Sequence, residues 1–390
     1  MRRKYSIALA VALAAAAAAA APCPTALTEI AGRVAGLRQV PPPFTPPCRL
    51  VSQEELRALL DRKLRRDLPI APNLYLESLV RTGFIEGDPG AVWDHLLAFY
   101  TSQVLGFYEP QADEMIVVDS PATARLEGGL VWAHELAHAA QEHRFHLPSR
   151  LLAMRGDGDR QRAASAVAEG EAMLVMFVLR GGAEGVDELD AAEATVAQQA
   201  KALPPPPGVP AYFVADLVFP YTAGFSAALR AYRSGGWTAV DRLLANPPTS
   251  TSALLHPDAP AAKGVVPAAD LPPVPEGWQE VLTDTVGEWG LAFLLGRRAG
   301  TAHAEAAAAG WDGDRMRLIR NAANPGRWAL AWRLQCRSVA AREQLERAMQ
   351  ESLPPVLARL DGGERPQLTW VAAGRTVELR AAWPRPSPSR

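Results

Sequence analysis

The sequence predicts an α+β fold that is mainly helical, with a small edge sheet and a helical C-terminal half. Three observations support this fold class. The stretches 54–67, 130–142 and 163–180 have the length and apolar spacing of amphipathic or buried helices. Gly106–Asp119 contains two apolar runs around a Pro/Asp turn, which predicts a β-hairpin. The composition, 48% hydrophobic and 21% charged over 390 residues, is typical of a globular protein.

Residues 1–21 have the pattern of a secretory signal peptide. Met1–Lys4 is basic, and a small apolar stretch follows that ends in an alanine run. A retained membrane anchor is the alternative, but Ser6–Ala21 is short for a span of roughly 20 strongly apolar residues. We therefore expect an exported protein of the periplasm, the cell envelope or the extracellular space. The export signal, if it stays uncleaved, is the expected contact with a membrane.

Charge and cysteine content narrow the function classes. The net charge is −2, and it becomes about −5 once the three basic residues of the signal are removed. No strong basic field remains, which argues against nucleic acid as a partner. Three cysteines are too few for a disulfide scaffold or a multi-cysteine zinc finger. Cys23 and Cys48 can pair outside the cytoplasm, and Cys336 is then left as a buried apolar residue, but the sequence leaves the pairing open.

The chain divides into four predicted regions. The signal, 1–21, is followed by a Pro-rich linker at 22–50 that we expect to be extended. Residues 51–325 form the main domain, and residues 326–390 form a small α/β extension. The extension is expected to contain a strand, a helix and a strand pair.

Within the main domain, Ser52 and Glu55 form a capping box that starts the helix at 54–67. The remaining elements follow in order. We expect helices at 90–104, 218–232, 238–244 and 283–298, loops at 201–210 and 246–279, and a charged turn at 311–315.

His134, Glu135 and His138 form an H-E-x-x-H pattern on the predicted helix 130–142. At positions i and i+4 both imidazoles project from one face, where their nitrogens can bind Zn²⁺ at roughly 2.0–2.1 Å. Glu135 is the expected general base, which takes a proton from zinc-activated water and passes it to the leaving amine. Two histidines packed in a core helix are the alternative, but unpaired they would be costly to bury.

Glu169 is the expected third metal ligand. It lies in a helix rich in Ala, Val and Met, where a carboxylate needs a partner, and Gly170 beside it allows close approach to the active-site helix. Glu171 is the fallback, because a shift of two residues moves a side chain about 200° around a helix. His143 and His146 are expected to be surface residues beyond the end of the active-site helix.

Several further motifs accompany this pattern. The chain resembles gluzincin-type zinc metallopeptidases, and more narrowly a group of largely uncharacterised exported bacterial zincins. The matching pieces are Gly106-Phe107-Tyr108-Glu109-Pro110, His134-Glu135-Leu136-Ala137-His138-Ala139-Ala140-Gln141, Glu169-Gly170-Glu171-Ala172, Phe219-Pro220-Tyr221, Pro248-Thr249-Ser250-Thr251 with His256-Pro257, Gly287-Glu288, and Gly310-Trp311-Asp312-Gly313-Asp314-Arg315.

The resemblance covers about residues 105–315 and implies a zincin-like active-site helix. It also implies zinc as the cofactor, bound by His134, His138 and Glu169, with Glu135 as the base. Gln141 and Arg144 stand where a metzincin has glycine and histidine, which excludes that class. The region after residue 326 matches the pattern poorly.

Peptide hydrolysis also requires a group that stabilises the oxyanion, and an edge that holds the substrate. Tyr221 and His256 are the candidate catalytic residues for the first role, beside Tyr212. The hairpin at 106–119 either pairs with an extended peptide by β-augmentation or is a plain scaffold element.

The sequence therefore predicts an exported zinc peptidase that acts on a peptide or protein substrate. The first alternative is a catalytically inactive zincin-like envelope protein that keeps the metal for stability or binds a partner. The second is a pseudoenzyme that holds peptides along the 106–119 edge. Substitution of Glu135 by Gln separates hydrolysis from both alternatives.

Overall fold

Helices predominate in the computed structural model, which describes residues 25–119, 126–181, 186–357 and 366–383. The predicted α+β, mainly helical fold class is confirmed. The helices are α1 Thr25–Arg38, α2 Gln53–Asp67, α3 Pro72–Arg81, α4 Pro89–Gln103, α5 Leu126–Phe145, α6 Leu147–Leu152, α7 Gly158–Gly181, α8 Val186–Ala202, α9 Ala211–Phe219, α10 Phe225–Ala245, α11 Thr251–Leu255, α12 Gly287–Ala299, α13 Thr301–Ala308 and α14 Val339–Leu357. The strands are β1 Cys48–Val51, β2 Gly106–Glu109, β3 Glu114–Val118, β4 Gly264–Val265, β5 Trp278–Asp284, β6 Trp311–Asn321, β7 Trp328–Cys336, β8 Gln367–Ala373 and β9 Thr376–Ala382. A π-helical turn, Pro220–Gly224, connects α9 to α10.

Thr25–Arg38 is helical and Cys48–Val51 is a strand, so the extended linker predicted at 22–50 is wrong over the described part of that region. α1 packs against α5, and its residues Leu27, Ala31 and Val34 are buried at a spacing of three to four. The prolines that suggested a linker follow this helix and do not interrupt it. The predicted export signal, 1–21, lies outside the described residues.

The predicted hairpin at 106–119 is present as β2 and β3. In this first sheet β3 lies in the middle, parallel to β1 and antiparallel to β2. β2 is therefore an edge strand, and it lies against α5. Cys48 in β1 is disulfide-bonded, and Cys336 in β7 is free and buried. Cys23 lies outside the described residues.

A second sheet lies in the C-terminal half and packs against helices α3, α12 and α14. Its strand order is β4-β6-β7-β9-β8, and β5 pairs with β6. The strand, helix and strand pair predicted after residue 326 are present as β7, α14, β8 and β9. β7 buries every second residue from Trp328 to Cys336, as expected for a strand with one face on the core. The predicted domain boundary at 325/326 needs correction, because it falls inside the β6–β7 hairpin.

Residues 311–315 begin strand β6, so the charged turn predicted there is wrong. Asp314 is fully buried in this strand. Its carboxylate accepts N–H groups from two backbone amides at the start of α12 and from the indoles of Trp311 and Trp332, all at 2.9–3.0 Å. Apart from Trp311, the partners of this charge lie 18 to 28 positions away in sequence, so the local pattern did not reveal them and suggested a charged turn.

α7 is held at its start by a second buried carboxylate, Asp159. The hydroxyl of Thr251 donates to Asp159 at 2.5 Å and its backbone N–H does so at 3.2 Å. The Thr251 hydroxyl in turn accepts the backbone N–H of Trp289 at 3.2 Å. The α11–α12 region therefore fixes the beginning of the helix that carries Glu169.

One helical run of the described residues, Ala211–Ala245, is long and apolar enough to cross a membrane by length and composition alone. Within its apolar window 56% of the residues are buried inside the protein. Gly235 and Gly236 have non-helical backbone angles inside the run, which separates the two helices predicted at 218–232 and 238–244. Its C-terminal part, α10, packs on α7, as a core helix of a globular protein does.

Candidate metal centre

His134 and His138 lie one turn apart on α5, and their side chains meet on the side that faces α7. The buried residues Leu136, Ala137 and Ala140 hold this helix in the core. The Nε2 atoms of the two histidines are 3.2 Å apart, and the ring planes are nearly perpendicular. Two imidazole nitrogens thus point at one location.

Glu169 on α7 completes a triangle with these histidines. Its Oε2 atom lies 3.1 Å from His134 Nε2 and 3.5 Å from His138 Nε2. Three ligands bound tetrahedrally to one ion at 2.0–2.1 Å would be about 3.3 Å from one another. The observed distances lie on both sides of this value, so the donor set fits Zn²⁺. Among the described residues, the His, Cys, Asp and Glu side chains that lie close enough together to hold one metal ion are these three.

Glu171, the fallback ligand, faces away from the cluster. Its carboxylate accepts from Arg38 Nε at 2.5 Å and from Gln141 Nε2 at 2.6 Å. The side chain of Glu171 is 1% exposed, whereas that of Glu169 is 23% exposed. The two-residue offset on α7 therefore directs Glu169 to an open site and Glu171 to a buried ion pair.

The charges in the cluster favour a bound cation. Burial would lower the pKa of His138, but the charges of Glu169 and Glu135 and the hydrogen bonds to Glu169 and Gln141 together raise that pKa to about 10. Burial would raise the pKa of Glu169, yet His138 and His134 hold it well below its usual range. Without a metal the Glu169 carboxylate is thus balanced by the protonated imidazole of His138, and a metal ion would displace that proton.

Gln141 is a site residue to which the sequence pattern alone assigned no role. Its Oε1 atom lies 3.0 Å from His138 Nδ1, and its Nε2 atom donates to the carbonyl of Ala168 at 2.8 Å. Position i+3 from His138 on the same helix was the available signal. Metal-binding histidines commonly donate the N–H of their second ring nitrogen to an oxygen acceptor, which the Gln141 amide oxygen is.

Glu135 lies beside the two histidines and faces the edge strand β2. Its Oε2 atom accepts the backbone N–H of Tyr108 at 3.0 Å. Burial raises the pKa of Glu135, against the opposing charges of His134 and His138. A carboxylate whose pKa is raised in this way is suited to accept and return a proton near neutral pH.

Tyr221, in the π-helical turn, is brought to the cluster. Its ring stacks on that of His134, with centroids 6.0 Å apart and planes 20° apart. Its hydroxyl donates a hydrogen bond to Glu169, whose charge, together with burial, raises the pKa of Tyr221 well above its ordinary value. The phenol therefore stays a neutral hydrogen-bond donor beside the His134, His138 and Glu169 cluster.

The structure does not bring His256 or Tyr212 to this cluster. His256 Nε2 lies 2.6 Å from Glu288 Oε1, and both residues line a separate cavity of about 760 Å³. The Tyr212 hydroxyl accepts from Arg162 at 3.0 Å. The assignment of His256 as a catalytic residue therefore needs correction, because its partner lies outside the metal cluster.

The two histidines that follow the H-E-x-x-H pattern in sequence also lie apart from the cluster. His143 pairs with Asp113 at 2.9 Å, and His146 lies 3.5 Å from Glu142. His146 is largely exposed, since three quarters of its side chain faces solvent. Neither residue is placed to serve as the third ligand.

Comparisons with known proteins bear on the C-terminal region. Residues 275–382 match the model of one family, described as a domain of unknown function (DUF8575). No curated protein and no solved structure matches the chain. The matched segment runs from β5 to β9 and lies wholly after His134, His138 and Glu169, so the family match does not include the candidate metal cluster.

Proposed function

We propose that this protein is an exported, zinc-dependent peptidase in which His134, His138 and Glu169 hold the metal. The triangle of ligand atoms, 3.1–3.5 Å on each side, is the observation that carries the proposal. Three protein ligands leave one tetrahedral position open, as catalytic rather than structural zinc sites do. When bound, zinc would polarise a substrate carbonyl and increase the acidity of water.

Glu135 is the proposed general base. It neighbours both histidine ligands, and its raised pKa brings proton transfer closer to neutral pH. The same carboxyl group would hand the proton to the leaving amine. The N–H of Tyr108 supports this role, because it orients the Glu135 carboxylate without neutralising it.

The edge strand β2 is the proposed docking site for an extended peptide. The Tyr108 N–H points at Glu135, away from β3, so the outer side of the strand faces the site. In a strand the N–H and C=O of one residue point to the same side, and the Tyr108 carbonyl therefore also lies on the unpaired side. A substrate added to this edge by β-augmentation would pass directly in front of Glu135.

Tyr221 is the proposed hydrogen-bond donor to the oxygen that becomes negative during attack. Its hydroxyl already donates to Glu169 and its ring rests on His134. A neutral phenol placed beside the metal ligands can stabilise the developing charge without a change of protonation state.

Export is supported by the disulfide at Cys48, since stable disulfides form outside the reducing cytoplasm. The basic and apolar start of the chain agrees with this location. The proposed sites of action are the periplasm, the cell envelope or the extracellular space.

The decisive experiment compares the mature chain with its Glu135→Gln and Glu169→Ala variants. Zinc content is measured after loading with excess Zn²⁺ and gel filtration, and hydrolysis is measured on fluorescent casein and on a mixed peptide library. We expect about one zinc in the parent and in Glu135→Gln, and much less in Glu169→Ala. Only the parent should cleave.

Each other outcome has a defined meaning. Hydrolysis that survives in Glu135→Gln would remove Glu135 from the mechanism. Zinc in the parent without any cleavage product across the library would favour the alternative, an inactive zincin-like envelope protein. Absence of zinc from all three proteins would overturn the proposal.

A further inference from the structure

We propose that Arg38 and Gln141 are positioning residues of the metal centre, and that α1 is therefore part of that centre. Both act through neighbours: Arg38 holds Glu171, Glu171 holds Gln141, and Gln141 holds His138. The inference rests on the proposed function, because it concerns the orientation of His138, a proposed zinc ligand.

The amide of Gln141 can adopt only one orientation. Its Nε2 group donates to two groups that can only accept, the Ala168 carbonyl at 2.8 Å and the Glu171 carboxylate at 2.6 Å. Its Oε1 atom must therefore face His138 Nδ1, at 3.0 Å. Because an amide oxygen only accepts, Nδ1 carries a hydrogen. Nε2 of His138 is then the nitrogen that remains for a metal, and it is the one that faces His134 and Glu169.

Arg38 supplies the charge that keeps Glu171 in place. The two side chains are 2% and 1% exposed, and their ion pair is 2.5 Å long. A carboxylate buried this deeply requires a counter-charge and hydrogen-bond donors. Arg38 is itself fixed, since its Nη2 donates to Asp241 at 2.6 Å and its guanidinium lies 4.4 Å from the Trp237 ring centroid.

This chain of contacts connects a remote segment to the site. Arg38 is the last residue of α1, and Glu171 follows it by 133 positions in sequence. Loss of the guanidinium removes the counter-charge from Glu171, and Gln141 then loses the partner that fixes its amide. The His138 ring is no longer held with Nε2 toward the cluster, and metal affinity should fall. Partners of metal ligands typically contribute about 10–100-fold to affinity.

The test combines two measurements on the full mature chain. The first is the dissociation constant for Zn²⁺ from competition with a chromophoric chelator. The second is NMR of ¹⁵N-histidine-labelled, metal-free protein, which detects slowly exchanging ring N–H groups. The proteins are the parent, Arg38→Met, Arg38→Lys, Gln141→Leu and the matched control Arg144→Met. Arg144 donates to the same Asp241 as Arg38 does, at 2.9 Å through Nη1 and at 2.6 Å through Nη2.

In the parent we expect a protected Nδ1–H signal from His138. Arg38→Met and Gln141→Leu should lose this protection and bind zinc about 10–100-fold more weakly. Arg38→Lys keeps a cation beside Glu171 and should recover most of the affinity. Arg144→Met should keep both the signal and the affinity, which separates positioning from a general loss of packing.

Several results would overturn the inference. A parent protein whose His138 lacks a protected Nδ1–H contradicts it directly. Zinc affinities of Arg38→Met and Gln141→Leu that equal that of the parent contradict it while leaving the proposed function intact. If the parent binds no zinc, the proposed function is wrong. The ring N–H signals then still test whether Gln141 orients the His138 ring. If Arg38→Met fails to fold, Gln141→Leu decides, because it leaves the Arg38–Glu171 pair in place.

Discussion

Gly170 of α7 lies against the backbone of Gly224 in the π-helical turn. A Cβ built on Gly170 would overlap the carbonyl group of Gly224, and a Cβ on Gly224 would overlap the carbonyl of Ala166. Two glycines thus allow two backbones to touch. The sequence suggested that Gly170 serves the approach to the active-site helix, but it faces the π-helical turn instead. This contact brings the neighbouring Glu169 and Tyr221 into one cleft.

A methyl group at Gly170 should therefore disturb both stability and the site. We expect Gly170→Ala to lower the free energy of unfolding by roughly 1–3 kcal/mol, because overpacking outweighs the gain of about 1 kcal/mol in helix propensity. Urea denaturation measures this change. The matched control is Gly32→Ala in α1, where the added methyl meets open space and should not destabilise. Equal stability of parent and Gly170→Ala would contradict the contact.

Removal of Glu169 should mainly weaken zinc binding, whereas removal of Glu171 should mainly lower the stability of the fold. Glu169→Ala should weaken zinc binding by more than the roughly 10–100-fold that outer partners contribute. Glu171→Ala leaves the buried Arg38 with Asp241 as its remaining counter-charge, and the free energy of unfolding should fall by up to about 3–5 kcal/mol. Thermal unfolding with chelator present separates the two effects. The reverse pattern would exchange the two roles.

Tyr221 should matter for rate and not for metal. Removal of one hydrogen-bond donor to an oxyanion typically costs at least about 100-fold in kcat. We expect Tyr221→Phe to show a loss of this size, with zinc content unchanged, because the phenyl ring keeps the stack on His134. Steady-state kinetics on the best peptide from the library provide the measurement. A change in KM alone would assign Tyr221 to substrate binding.

His256 should be dispensable for the chemistry. We expect His256→Ala to keep zinc and to keep kcat/KM within about twofold, because its partner is Glu288. The buried Glu288 would lose its hydrogen-bond partner, at a cost of about 1–3 kcal/mol in stability. His256→Gln, which can still donate to Glu288, should restore part of this. If His256→Ala and His256→Gln are both folded and neither hydrolyses peptide, His256 is a catalytic residue after all.

Asp159 should make the protein more stable in mild acid. Burial raises the pKa of Asp159 from its ordinary value of 3.8 to about 7, despite the hydrogen bonds from Thr251 and the charge of Arg162. Between these values the folded state holds a proton that the unfolded state has released. The free energy of unfolding therefore falls as pH rises from about 4 through about 7, by up to about 1.4 kcal/mol per pH unit from this group.

Urea unfolding of metal-free protein at pH 5, 6, 7 and 8 measures this dependence. Asp159→Asn should make the free energy of unfolding less dependent on pH, by the equivalent of about one bound proton. Asp314, whose pKa burial raises to about 6, contributes in the same direction and should keep a residual slope in the variant. A slope that is unchanged in Asp159→Asn would show that this carboxyl group is ionised throughout the range.

Local patterns in the sequence determined much of the framework. The capping box at Ser52, the hairpin at 106–119 and the long helices all follow from neighbours a few residues apart, and the structure contains each of them. The i, i+4 spacing of His134 and His138 also fixed their common face, because a helix makes that relation rigid. Composition misled at 22–50, where prolines concealed the short apolar repeat of α1.

Only the tertiary structure decided which side chains meet. Helical periodicity separates Glu169 from Glu171 by angle, but the packing of α7 against α5 determines which of them faces the histidines. Tyr221 reaches the cluster through a π-helical turn, and Arg38 reaches it across 133 positions of sequence through Glu171. Such contacts depend on long-range packing between elements, which no local spacing encodes. The sequence by itself thus determined the chemistry that is available, and the fold determined which groups share one site.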